Sequence, residues 1–445
     1  LVDYKKFALY LMKVKRSILS LVLVAMFGVA CDTSSEKKQA SLAVARQMGE
    51  FEKIEALWLI WPTTDHKEGE SVETVTLSII EAVVPHIKVV ITCTDDAILQ
   101  RAKSTLRGTY PDLEPFIFHV IPSVELWARD MGPVFVELEN GQHAIADFNF
   151  DSWGYADTLD QNSRIEEQYD ERVAELLGLP LISSNMISEG GNRELNGKGT
   201  LIVTEAVETG RNPGMSKAAM EAEYQRLLGV KNTIWLREGL LEDQHTFLGP
   251  LSISDTTKAY TVVTTNGHID EFARFVNDST LLLAALDTIE LHDPIARENH
   301  KRLEENFNIL SNSTDQDGNP FQIVRLPLPQ TILTTMQPGD YVYDYIKTLD
   351  YGDAGPFPDG ETITVVAPAS YLNFIITNEV ILGQKYWREG MPEQLKMQDL
   401  EAQRILQEVF PDRKVIMLDA LAVNLGGGGL HCISMHQPKL VMGDH

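Results

Sequence analysis

The sequence predicts an α/β protein. Short apolar runs rich in Val, Ile and Thr recur along the chain, each bounded by turn residues. Stretches with helix-capping signals fall between them, and no composition break divides the chain after residue 50. Alternation of this kind is the signature of strands and helices packed in layers. The 445 residues are 44% hydrophobic and 23% charged, an ordinary globular balance that excludes a disordered, collagen-like or disulfide-dense chain. The net charge of −26 opposes nucleic-acid binding, because a phosphate backbone needs basic neutralisation.

Taken in order, the first element is a leader. Lys5, Lys6, Lys13, Lys15 and Arg16 stand against Asp3 alone, and residues 17–30 carry no charge. A basic start, a short apolar run and small residues before a break describe a secretory signal. The run is too short to span a bilayer comfortably. The break, Gly28-Val29-Ala30-Cys31, resembles a bacterial lipobox except at Gly28, which makes Cys31 the expected lipidation site. Met12 is a more natural start than Leu1. The expected organisation is a signal peptide at 1–30, a tether at 31–48 and a single domain at 49–445. The protein is then exported to the periplasm or cell envelope, touching a membrane only through its lipid.

Strands are expected at 56–61, 87–92, 199–204, 260–264, 279–284, 374–382 and 414–418. Helices are expected at 163–177, opening on a Ser163/Glu166 capping box and stopping before Gly178; at 216–228, between Ser216 and Gly229; and at 396–409. Cys93 sits in an apolar run and reads as a buried small hydrophobe. Oligomeric state has no signature in the sequence.

Four signatures carry chemistry: Trp127 to Pro133 (WARDMGP), Glu189 to Asn192 (EGGN), Gly267 to Asp270 (GHID) and Gly426 to Cys432 (GGGGLHC). Each alone is weak. Together they offer a thiol, an imidazole and several carboxylates. Those groups suit attack on a cationic planar carbon such as a guanidinium. Carboxylates bind its nitrogens bidentately, a thiolate adds to the carbon, and a His protonates the departing amine. No HExxH or CxxC suggests a metal site, and no G-x-S-x-G suggests a serine triad.

With these segments in view, the chain from about residue 50 to 438 resembles the agmatine deiminase and bacterial peptidylarginine deiminase family of guanidine-modifying enzymes. The resemblance rests on seven ordered segments: residues 51–62 (FEKIEALWLIWP), 127–133, 147–154 (DFNFDSWG), 189–201, 267–276 (GHIDEFARFV), 370–374 (SYLNF) and 427–438 (GGGLHCISMHQP). It implies a five-bladed α/β propeller, the pentein fold, built of ββαβ-like units around a central site. It also implies roles. Cys432 matches the nucleophile and His268 the general acid, later base. Asp130 and Asp270 match the carboxylates that grip the guanidinium, and Glu189 the acid that orients the His. Trp127 would line the substrate slot, and Asn373 matches a polar position near it. His431 and His436 read as structural or supporting. No metal or organic cofactor is implied.

The implied reaction converts a guanidino group to a ureido group plus ammonia through a covalent thiouronium on Cys432. The substrate remains open between an agmatine-like small guanidine and peptidyl arginine, whose product would be citrulline. An amidinotransferase or a methylarginine hydrolase would use the same groups. Agmatine deiminases often carry an acid four residues before the His, where this chain has Thr264. No Arg pair in 149–157 would read a peptide's terminal carboxylate.

Overall fold

The computed structural model describes residues 42–442, apart from 157–158, 255, 287–290 and 292. The expected leader, Cys31 and most of the expected tether lie outside these residues. One end of the tether does not: Val44–Gln47 is a β-strand, paired antiparallel with Val134–Leu138.

Five of the six sheets repeat one pattern. A central strand pairs antiparallel with a short strand on one side. On the other side it pairs parallel with a strand reached through a helix. The central strands are Ala56–Ile60, His143–Asn149, Thr200–Thr204, Thr280–Ala285 and Val380–Lys385. Their antiparallel partners are Ser434–Gln437, Val134–Leu138, Glu194–Leu195, Ala273–Phe275 and Ile375–Ile376. Their parallel partners are Lys88–Cys93, Leu181–Ile187, Asn232–Leu236, Gln322–Pro327 and Lys414–Asp419. Parallel strands need a crossover, and helices supply it each time. The sixth sheet joins Leu251–Ser252, Lys258–Thr261, Ile363–Val366 and Leu333–Met336.

Sequence and packing agree in these units. Ala56–Ile60 is buried on both faces, as an uninterrupted apolar run requires. The helix that follows, Val72–Val83, is capped by Ser71, whose hydroxyl accepts from the Thr74 N–H. It lays Val72, Val75, Ile79, Ile80 and Val83 into the core. Each such side chain contributes roughly 1.5–3 kcal/mol of burial. Lys217–Leu228 runs from a Ser216 cap to a left-handed Gly229, as expected.

Three expectations are corrected. The 163–177 helix is two, Gln161–Glu167 and Tyr169–Leu177, and its cap is Asp160. The Ser163 hydroxyl is engaged with Ser152 Oγ at 2.6 Å, and Glu166 accepts from the Glu125 N–H at 2.9 Å, so neither serves a capping box. The 374–382 strand is a hairpin turning at Thr377, because Asn378 leaves the ladder to bond Ile54. The 260–264 strand ends at Thr261, and the Thr264 hydroxyl donates to the Gln244 carbonyl at 2.7 Å.

Candidate active site

Each of the five short antiparallel partners is preceded by a segment that carries a site residue. Asp130 lies before Val134–Leu138, Glu189 before Glu194–Leu195, His268 and Asp270 before Ala273–Phe275, Asn373 before Ile375–Ile376, and Cys432 before Ser434–Gln437. Equivalent positions in a repeated unit thus deliver the residues that the sequence motifs single out. All six are buried.

Around the thiol the contacts are short. Asn373 Nδ2 donates to Cys432 Sγ at 3.1 Å, to Asp270 Oδ2 at 3.0 Å and to Glu271 Oε1 at 2.9 Å. The Cys432 thiol donates to Asp270 Oδ2 at 3.4 Å. Asn373 Oδ1 accepts the His431 N–H at 2.9 Å, which fixes the amide with its N–H groups toward the thiol. Asp270, Glu271 and Cys432 stand close enough to share a cation. The Asn373 amide donors occupy the side these three face, and a donor there opposes a metal ion.

His268 sits between carboxylates. Its Nδ1 is 3.7 Å from Asp130 Oδ1 and its Nε2 is 3.7 Å from Glu189 Oε2. Neither ring nitrogen has a hydrogen-bond partner, nor do Glu189 Oε2 and Asp270 Oδ1. Buried polar atoms are rarely orphaned; Glu189 Oε2 still faces the His268 ring, which leaves Asp270 Oδ1, on the carboxylate that meets the thiol, as the acceptor for a ligand's N–H groups.

Positioning residues lie behind these. Trp153 donates through Nε1 to Asp130 Oδ2 at 2.8 Å, from a left-handed backbone (φ 56°) that a bulky residue seldom adopts. The Gly191 N–H donates to Asp130 Oδ1 at 2.8 Å. A Cβ on Gly191 would lie 2.6 Å from His268 Nδ1 and 2.9 Å from Asp130 Oδ1, so bare backbone forms this wall. Arg211 Nε donates to Glu189 Oε1 at 2.6 Å and Nη2 to the Thr265 carbonyl at 2.7 Å. Asp243 gathers the turn that leads to His268. None of Asp243, Arg211 or Gly191 stood out in the sequence as a site residue, though Gly191 falls inside the EGGN segment. Trp153 was visible only inside its motif.

The charges follow from this packing. Burial opposes the His268 cation, but Asp130, Glu189 and Asp270 outweigh it and lift its pKa to about 9. Burial opposes the Glu189 anion as well, yet Arg211 and His268 hold its carboxyl below the usual range. Burial pushes the Cys432 thiol well up, helped by Asp270, Glu271 and Asp130. Asp270 is held low against its burial, first by its hydrogen bond with His431. Asp130 is pushed up by burial.

Trp127 and Trp153 form one wall of a cavity of about 360 Å³. Trp127 stacks on His66 with ring centroids 5.8 Å apart and meets Trp153 edge-on. Gly428 adjoins both Trp127 and Cys432 Sγ, which puts the cavity wall next to the thiol. Glu125, Glu166, Tyr155 and Tyr341 line the far side. His431 and His436, read as supporting residues, face Glu50 rather than the thiol.

Residues 46–248 and 252–438 match the sequence model of the Porphyromonas-type peptidyl-arginine deiminase family. The agmatine deiminase of Medicago truncatula is 28% identical over 409 residues, covering 88% of this chain and 96% of its own. The solved agmatine deiminase of Enterococcus faecalis superposes with a TM-score of 0.69 at 24% identity, over 89% of this chain and 96% of its own. That of C. jejuni, solved as a Cys-to-Ser variant with substrate bound, gives 0.64 at 18% identity, over 89% and 97%. At these identities the two structures establish a shared mixed α/β fold. With its fold shared and nearly all of residues 46–438 matched, the chain belongs to the Porphyromonas-type peptidyl-arginine deiminase family.

Proposed function

We propose that the protein is a hydrolytic deiminase that converts the guanidino group of an agmatine-like amine to a ureido group, with release of ammonia. The observation that carries this is the buried Asp270 carboxylate, with no hydrogen bond to its Oδ1 among the described residues, beside the Cys432 thiol and a His268 ring held between Asp130 and Glu189. A guanidinium offers N–H donors to the carboxylates and its carbon to sulfur.

Asp130 and Asp270 hold the guanidinium flat. Burial and the neighbouring carboxylates push the thiol up, and a substrate cation beside it favours the thiolate. The thiolate adds to the guanidinium carbon, and protonated His268 gives its proton to the departing amine. A thiouronium remains on Cys432. His268, now neutral, takes a proton from water, whose oxygen adds to the same carbon. Collapse expels the Cys432 thiolate and leaves the ureido product. The first half-reaction deprotonates His268 and the second reprotonates it, so only the full cycle restores its starting state.

The cavity beside Trp127 favours a distal amine over a distal carboxylate. Glu125, Glu166 and Asp160 line it, and no Lys or Arg does so among its described lining residues. Thr264 does not replace the missing acid: its hydroxyl carries no charge, and the residue is fully buried and outside the cavity lining. The relatives named agmatine deiminase support the same choice. The five repeated sheet units support reading the fold as a five-bladed propeller. The domain is further proposed to be an exported lipoprotein anchored at Cys31, on the basic and apolar leader alone.

The experiment is a ureido-product assay on residues 32–445 with agmatine, free arginine, and internal- and terminal-arginine peptides, with Cys432→Ala as the blank. Product from agmatine alone is expected. Product from peptides only would replace the substrate assignment with peptidyl arginine, and no product from any would overturn the deiminase reading.

A further inference from the structure

Glu50 lies between the strand Val44–Gln47 and the first central strand, far in sequence from every catalytic motif. Its carboxylate nevertheless meets residues from three of the five site-bearing segments. It pairs with Arg129, the neighbour of Asp130, and with Arg274 at 2.6 Å, four residues after Asp270. It accepts from His431 Nε2 at 2.8 Å, the neighbour of Cys432. His436 is 3.7 Å away. Arg274 extends the reach to the other two segments. It pairs with Glu194 at 3.0 Å and donates to the carbonyls of Leu372 and Phe374, on either side of Asn373, at 3.2 and 2.9 Å.

The His431 ring then completes a chain. Its Nε2 lies 2.8 Å from Glu50 Oε2 and its Nδ1 2.7 Å from Asp270 Oδ2, so the ring bridges two carboxylates, donating to both as an imidazolium. Among the described residues the His431 ring also meets His436, with centroids 6.4 Å apart, but Glu50 is the hydrogen-bond partner of its Nε2.

We propose that Glu50 is a positioning residue of this active site. It ties the site-bearing segments together behind the nucleophile and, through His431, holds the Asp270 carboxylate ready for a cationic substrate. This rests on the deiminase reading for its catalytic consequence, but the grip on a planar cation is measurable by itself. Asp270 is also faced by His268, Cys432, Asp130, Glu271 and Arg274, and Glu50 by Glu194, so the test must single out the Glu50–His431 path.

Two variants do so in the intact domain. Glu50→Gln keeps the shape and removes the charge. His431→Asn keeps a donor toward Asp270 but loses the link to Glu50. Activity on agmatine is measured against pH. Alkylation of Cys432 by chloroacetamidine, a planar cation, and by neutral chloroacetamide is measured over the same range. In both variants the acid limb of kcat/KM should rise by about one pH unit, because the carboxylate has lost support. The amidine-to-amide rate ratio should fall about tenfold below pH 7. Glu50→Asp should retain more of that ratio than Glu50→Gln. An unchanged acid limb and ratio in both variants would overturn the proposal. So would a loss of rate that merely follows melting temperature and is equal for the two reagents. If the wild type makes no ureido product, the deiminase reading fails and the alkylation ratio still decides the role of Glu50. Should Glu50→Gln not fold, His431→Asn decides it.

Discussion

Asp243 lies under the turn that presents His268, and its Oδ2 accepts the His268 backbone N–H at 2.9 Å. The same carboxylate accepts the Gly267 N–H at 2.8 Å, the Thr265 N–H at 2.9 Å and the Thr265 hydroxyl at 2.7 Å. One buried acid thus writes the conformation of a four-residue turn whose last member is the proposed acid and base. Asp243→Asn turns one acceptor oxygen into a donor and leaves at least one of these N–H groups unpaired. The expected loss is about 2–3 kcal/mol of stability, read from urea unfolding, with a larger fall in kcat than in substrate affinity. Wild-type stability and rate would remove Asp243 from this role.

Gly191→Ala tests the wall between Asp130 and His268. Its Cβ would press on His268 Nδ1 and Asp130 Oδ1 at 2.6 and 2.9 Å, and both belong to side chains held on other segments. Overpacking of this kind costs about 1–3 kcal/mol, which the domain can absorb, while displaced reacting groups lose about 100-fold in rate. Circular dichroism should match the wild type and turnover should not. Full turnover would mean the His268 ring lies elsewhere in the working enzyme.

The pH dependence follows from His268. Its folded pKa of about 9 exceeds the ordinary 6.5, so the proton binds the folded protein more tightly than the unfolded chain. The contribution to stability is complete below about pH 6.5 and is lost as pH rises through about 9, with a size of order 3 kcal/mol. Activity should fall through the same upper window as the acid loses its proton. Buried carboxyls such as Glu166 titrate nearby, at about 8, so the difference between wild type and His268→Asn is the quantity to measure. A difference that does not change between pH 6 and 10 would show that folding leaves the His268 pKa at its ordinary value.

Glu125→Gln tests the cavity. Tyr341 donates to its Oε1 at 2.8 Å, and a glutamine keeps that bond while removing the charge. The KM for agmatine should rise about tenfold, and that for butylguanidine, which lacks the distal amine, should not change. Equal effects on the two would place the amine elsewhere.

The catalytic inventory was legible in the sequence because each member lies in a dense local motif. Cys432 follows four glycines, and His268 and Asp270 share one segment with Arg274. Asp243, Arg211 and Glu50 were not legible. Each is a single charged residue with no pattern around it, and its partners lie on other segments. Glu50 and His431 are 381 residues apart. The strands with continuous apolar runs were also legible, whereas short polar edges such as Glu194–Leu195 had no run to show. The Ser163 cap failed for a physical reason: Asp160 starts the helix at Gln161, accepting from Asn162 at 2.8 Å and Ser163 at 3.2 Å, which puts Ser163 inside the helix. The division of 374–382 was present as Thr377-Asn378-Glu379, three polar residues that interrupt an apolar run.

The pairing of Ser434–Gln437 with Ala56–Leu59 has a temporal meaning. The strand that carries Cys432 into place finds its partner only after more than three hundred intervening residues have been made and ordered, and contacts of such separation form late. A nascent or half-folded chain can therefore bury its helices and assemble most of its carboxylates while still lacking a seated nucleophile. Seating of the nucleophile is thus tied to closure of the two ends of the domain on one another, and a chain without that pairing lacks the strand that places Cys432.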